Sequence, residues 1–170
     1  MEVASLKLQS ISSFRHRVSC FPEGGVSLKY CMQCSLCSSK CPVARVVESF
    51  SPRRIVCDAL LGLEDEVVFK DGVWSCLSCH SCLEACPMNV KVSYLITFFK
   101  NLAVERGDVP EGVVEEVKQI FKTGRTLSLS SAVEKRRASL SLPPPPSVNV
   151  DEVRALLKEF VNVLGGEREG

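Results

Sequence analysis

Apolar residues in this chain recur mostly at helical spacing. Val92, Leu95, Ile96, Phe99, Leu102 and Ala103 mark one buried face of a helix near residues 90–105, which Gly107 and Pro110 then close off. Residues 110–122 carry a second helical pattern that stops at Gly124. Upstream, SFSPRRIVCDALLGLEDE predicts a short helix: Ser51 can cap it, Pro52 suits its first position and Gly62 offers a C-terminal stop. A final amphipathic helix is expected from a capping Asp151 to about Leu164, with Val153, Leu156, Leu157, Phe160, Val161 and Leu164 as its apolar stripe. The run Pro143 to Pro146 stiffens the linker before it. Only VVFKDGVW, residues 67–74, reads as extended, because Asp71-Gly72 resembles a hairpin turn. The pattern predicts an all-α protein.

Composition narrows the class. At 170 residues and 45% hydrophobic content, the chain can bury one modest core with a helical appendage. Its 21 Lys and Arg balance 20 Asp and Glu, so no electrostatic footprint for nucleic acid or an anionic membrane is expected. No apolar run approaches the roughly 18 residues of a transmembrane helix, and Lys7, Gln9 and Ser10 break up the start, which does not read as a signal peptide. Ten cysteines in tight, repeated groups fit metal ligation in a reducing cytoplasm better than disulfides.

Those groups are a duplication. CMQCSLCSSKCP, residues 31–42, maps onto CLSCHSCLEACP, residues 76–87, by one constant offset. Three cysteines at three-residue steps can wrap a loop around a cuboidal cluster and bind three irons, while the fourth, before a proline, reaches toward a second cluster. By that logic Cys31, Cys34, Cys37 and Cys86 hold one [4Fe–4S] cluster, and Cys76, Cys79, Cys82 and Cys41 hold the other. The exchanged ligands would staple the two halves. Eight thiolates could instead bind two structural zinc ions, but zinc sites usually pair one CxxC with a distant second pair. A capped helix between the motifs favours an α-helical ferredoxin over the compact, strand-built kind.

The layout resembles the C subunit of heterodisulfide reductase. CPVARVVESFSPRRIVCDALLGLEDEVV, the VWSC before the second motif, and more loosely EEVKQIFKTGR and EVRALLKEF carry the likeness. Ser35 stands where many of that family have glycine, and His80 where they have an aromatic residue; either change can alter cluster solvation without removing a ligand. The resemblance implies three segments: residues 1–28, a two-cluster ferredoxin domain at 29–106, and a helical extension at 107–170 containing the proline linker 143–146. It implies a non-catalytic electron-transfer subunit carrying electrons from a flavin-bearing, iron–sulfur A subunit to a B subunit that reduces the mixed disulfide of coenzymes M and B. A hydrogenase or formate dehydrogenase would be a further partner in the larger complex. The same relay in a sulfur-oxidising complex or another flavin dehydrogenase is the alternative. No Cys-Cys pair, dinucleotide fingerprint or Ser-His-Asp arrangement points to substrate chemistry in this chain.

Other residues get plainer readings. Cys20 and Cys57 fall outside the repeat and read as small buried hydrophobes. His80 reads as a solvent-facing loop residue whose loss leaves iron content unchanged. Arg53 and Arg54 oppose the dipole of their helix, which points to a compensating anion: a thiolate-ligated cluster or a partner subunit. Trp74 reads as a core residue that can also shield the adjacent cluster.

Overall fold

The computed structural model describes residues 8–68 and 72–164. Among the described residues every regular element is helical: α1 (Leu8–Ser19), α2 (Leu36–Ser39), α3 (Pro52–Leu61), α4 (Glu64–Val68), α5 (Ser81–Glu84), α6 (Val92–Glu105), α7 (Glu111–Thr123), α8 (Ser131–Ser139) and α9 (Val150–Leu164). None of these helices is long and apolar enough to cross a membrane. The chain divides into two compact units, one up to Arg106 and one from Gly107.

The first unit is built on α6. Its predicted apolar face is buried, with Leu95, Ile96, Phe99, Leu102 and Ala103 all within the core. Phe14 and Val18 of α1 join that core, and the Phe14 and Phe99 rings lie 6.1 Å apart. Leu8, Ile11, Phe14 and Val18 in fact carry a helical period; Ser12, Ser13, Arg15, His16 and Arg17 between the last three are exposed on the outer face of α1, an element not expected from the pattern.

The helix between the cysteine motifs forms as its sequence predicts. Ser51 Oγ accepts a hydrogen bond from the Arg54 N–H, Pro52 occupies the first turn, and Gly62 ends the helix at φ 78°. The Leu63 N–H then bonds to the Asp58 carbonyl and the Gly62 N–H to that of Ala59, which satisfies two otherwise orphaned acceptors. Gly62 also lies against α1, where an added Cβ would come within 2.6 Å of Ile11 Cγ2.

The described residues of the expected strand, 67–68 and 72–74, are not extended. Val67 and Val68 are buried in α4, and Val73–Ser75 form a 3₁₀ turn; Asp71, half of the expected hairpin turn, falls outside the described residues. With no second strand to pair with among the described residues, helical turns satisfy the backbone groups internally while the valines still reach the core.

In the second unit α7 ends at Gly124, at φ 70°, as expected. The helix α9 starts at Val150, so its cap is Asn149, two residues before the expected Asp151. Asn149 Oδ1 accepts from the Asp151 and Glu152 N–H groups, and its amide donates to Glu152 Oε1 at 2.8 Å. This helix packs on α7: Arg154 Nε donates to the Phe121 carbonyl at 3.2 Å and its guanidinium lies over the Phe121 ring. Of the expected apolar stripe, Val153 and Leu157 are half-buried, whereas Leu156 is 77% exposed; the side chains of Phe160, Val161 and Leu164 lie outside the described residues. The helix α8, capped by Ser130, carries no apolar stripe and gave no periodic signal.

Gly62→Ala should lower stability by about 1–2 kcal/mol from the left-handed backbone alone, more once the clash with Ile11 is included. Thermal unfolding should show a drop of roughly 4–15 °C; an unchanged midpoint would contradict the close approach of α3 to α1.

Candidate metal centres

The duplicated sequence folds into a duplicated backbone. Each motif follows a 3₁₀ turn, Gly25–Tyr30 before Cys31 and Val73–Ser75 before Cys76, and both cysteines take the same extended conformation, φ −66°, ψ 112° and φ −68°, ψ 123°. Left-handed residues then flank the second cysteine of each motif: Gln33 (φ 56°) and Ser35 (φ 68°) around Cys34, Ser78 (φ 52°) and His80 (φ 60°) around Cys79. None is glycine, so each holds strain of about 1–3 kcal/mol that the surroundings must sustain. The short helices α2 and α5 carry the third cysteines, Cys37 and Cys82. Reversing the backbone at every second step turns the loop back on itself, so that sulfurs three residues apart share one wall.

Two hollows result. The first is lined by Cys31, Cys34, Cys37 and, from the other motif, Cys86. The second is lined by Cys76, Cys79, Cys82 and, again from the other motif, Cys41. Among the described residues no three His, Cys, Asp or Glu side chains converge as a single metal ion requires; the thiols ring the hollows instead.

Hydrogen-bond donors point at these sulfurs. In the first hollow the Gln33 amide donates to Cys31 Sγ at 3.3 Å and the Val90 N–H to Cys86 Sγ at 3.2 Å. In the second, the Ser78 N–H donates to Cys76 Sγ at 3.4 Å, while the Cys79 thiol itself donates to the Ser81 hydroxyl at 3.4 Å. Four thiols per hollow with donors aimed at them form a donor set that fits a thiolate-ligated cluster, whose sulfurs carry negative charge.

The core helices hold the loops in place. Behind the first, the Arg53 N–H at the start of α3 donates to Ser38 Oγ at 3.0 Å, and the Ser38 and Ser51 hydroxyls are 3.0 Å apart. Behind the second, His80 Nδ1 and the hydroxyl of buried Ser93, in the first turn of α6, are 2.9 Å apart, and the Tyr94 ring lies beside the imidazole. Lys100, further along α6, donates to the Cys76 carbonyl at 2.8 Å and sits over the Trp74 ring. His80 is exposed overall, as expected, yet its ring is tethered and forms part of the second wall.

Burial governs the thiols' acidity. Desolvation pushes Cys82 up to about 12, and it also raises Cys37 despite hydrogen bonds from Ser38 that act the other way. At the surface, the Ser81 hydroxyl holds Cys79 below the usual thiol range. Cys82 therefore keeps its proton at neutral pH until a metal displaces it.

The remaining candidates separate. Arg53 lines the first hollow, whereas Arg54 turns to Asp58 at 3.7 Å. Trp74 is half-buried against the core and is not among the residues lining the second hollow. Neither Cys20 nor Cys57 lines a hollow. Cys20 is exposed rather than buried, with Sγ 3.6 Å from His16 Nε2, because α1 ends there with its apolar face already spent; Cys57 is half-buried. Gln33 and Lys100 were not foreseen: one is an ordinary polar residue inside a cysteine loop, the other a helix-surface lysine, and neither carries a sequence signal.

Residues 27–90 match the 4Fe-4S dicluster domain family. The chain is 32% identical over 147 residues to the C2 subunit of the H(2)/formate:CoB-CoM heterodisulfide,ferredoxin reductase of Methanococcus maripaludis, covering 82% of this chain and 79% of that one. It is 30% identical over 152 residues to the iron-sulfur C subunit of the CoB–CoM heterodisulfide reductase of Methanopyrus kandleri, covering 85% and 79%. A protein of Archaeoglobus profundus named as similar to the heterodisulfide reductase C subunit matches at 26% over 140 residues, covering 80% and 74%. With its paired cysteine hollows and a likeness that extends well beyond them, this chain belongs to the family of heterodisulfide reductase C subunits, as an iron–sulfur electron-transfer protein.

Proposed function

We propose that the two hollows each hold a [4Fe–4S] cluster, ligated by Cys31, Cys34, Cys37 and Cys86 in the first and by Cys76, Cys79, Cys82 and Cys41 in the second. The observation that carries this reading is the grouping of three cysteines of one motif with the fourth of the other around each hollow. Thiols that ring a hollow suit a cuboidal cluster better than a single tetrahedral zinc ion. When bound, the clusters supply reversible one-electron chemistry; the protein positions them, donates hydrogen bonds to their sulfurs and limits water. The ferredoxin domain corresponds to residues 29–106, and residues 107–170 form an extension that docks a partner.

In this reading the chain relays electrons within a heterodisulfide reductase complex, from a flavin- and cluster-bearing A subunit to a B subunit that reduces the CoM-S-S-CoB disulfide. The relatives' names support that complex, and the Methanococcus name, with hydrogen and formate in it, supports a hydrogenase or formate dehydrogenase as the ultimate electron source. Leu156, an apolar side chain left exposed on α9, supports a docking role for the extension.

The crossed ligation makes a specific expectation. After anaerobic reconstitution, Cys86→Ser and Cys37→Ser should perturb one and the same cluster signal in electron paramagnetic resonance, and Cys41→Ser and Cys79→Ser the other. If Cys86→Ser instead perturbs the signal that Cys82→Ser does, each motif holds its own cluster and the crossed assignment is wrong. Leu156→Glu should leave iron and sulfide content unchanged while reducing capture of the A and B subunits several-fold in anaerobic pull-downs; undiminished capture would remove α9 from the interface.

A further inference from the structure

The two hollows share a backbone but not an environment. In the first, no cysteine is fully buried: Cys31, Cys37 and Cys86 are half-buried and Cys34 is exposed. In the second, Cys79 is likewise exposed and Cys76 half-buried, but Cys41 and Cys82 are each only 7% exposed. Among the described residues lining either hollow, Arg53 carries the one permanent charge, and it belongs to the first. Its partner in the first turn of α3, Arg54, pairs with Asp58, so of the two arginines only Arg53 lines the first hollow. Gln33 adds a side-chain donor to Cys31 Sγ; its counterpart in the duplication, Ser78, reaches Cys76 Sγ only with its backbone N–H.

A cluster bound by four thiolates is anionic and gains a further negative charge on reduction. A nearby cation, an added donor to sulfur and contact with water each stabilise the reduced form, while burial destabilises it. All three differences favour reduction in the first hollow; the Ser81 hydroxyl, 3.4 Å from Cys79 Sγ, acts the other way at one sulfur of the second. Lys100 acts in the opposite sense, as a cation beside the second, but it lies outside the lining residues and its ammonium is committed to the Cys76 carbonyl and the Trp74 ring.

Resting on the cluster reading above, we infer that the first hollow holds the higher-potential centre, set by Arg53 and Gln33, so that electrons are taken in at the second hollow and passed out from the first. One electron leaves a reduced flavin or iron–sulfur centre of a partner and rests at the second hollow. It then moves to the first and on to a disulfide-reducing partner. Each transfer oxidises one centre and reduces the next by one electron, with no bond made or broken. Arg53 and Gln33 are positioning residues for this gradient and not ligands.

The test is a potentiometric titration of the anaerobically loaded full-length chain, followed by electron paramagnetic resonance, with the first-hollow signal assigned by its loss or change in Cys86→Ser. Arg53→Gln and Gln33→Leu should each shift the higher of two midpoint potentials downward and leave the lower in place, Arg53→Lys should restore it, and Lys100→Gln should lower the other. An Arg53→Gln shift confined to the lower-potential signal, or no shift in either with iron and sulfide content intact, overturns the ordering. A wild-type chain that takes up no iron and sulfide overturns the cluster reading and the ordering with it.

Discussion

Gathering four sulfurs around one hollow is the constraint on which the rest of this fold depends. A loop with cysteines three residues apart turns them toward one side only by reversing its backbone, and here that reversal falls on Gln33, Ser35, Ser78 and His80, none of them glycine. The strain, of about 1–3 kcal/mol per residue, cannot be sustained by the loops alone. It is met by the helices behind them: Ser38 fastened to the start of α3, His80 to Ser93 at the start of α6, and both helices anchored through α1 and the aromatic core. Ser35 illustrates the point. It occupies a left-handed position, φ 68°, at which glycine is the unstrained choice.

Duplication explains the architecture, and departures from it explain what the two sites do differently. The cysteines, the 3₁₀ turns before them and the short helices after them recur in both halves. What does not repeat is the surroundings: Arg53 lines one wall and a tethered histidine the other, and the cysteine thiols differ in burial. The second unit, with α9 laid on α7 and Leu156 left to solvent, contributes no cysteine to either hollow.

Much of this was legible in the sequence because it rested on periodic or punctuating residues. The helix α3 could be read from Ser51, Pro52 and Gly62, and α6 from its apolar face. The family was legible in the cysteine spacing and the segment between the motifs. The misreadings have equally local causes. Beta-branched residues at 67, 68 and 73 mimic a strand, although burial alone, without a partner strand, was what they required. Asp151 and Asn149 are both capping residues, and only the true helix start distinguishes them. Gln33 and Lys100 gained their roles from where the loops and α6 bring them, which no one-dimensional pattern encodes.

The central claim is that this chain is a two-cluster electron relay within a disulfide-reducing complex. Anaerobic affinity purification of the chain from its native cells, with metal and sulfide analysis and mass spectrometry of the co-purifying proteins, tests it most directly. The predicted result is iron and acid-labile sulfide on the chain, together with a flavin-bearing iron–sulfur protein and a second partner carrying paired-cysteine cluster motifs. Zinc in place of iron and sulfide, with no redox protein alongside, would contradict it.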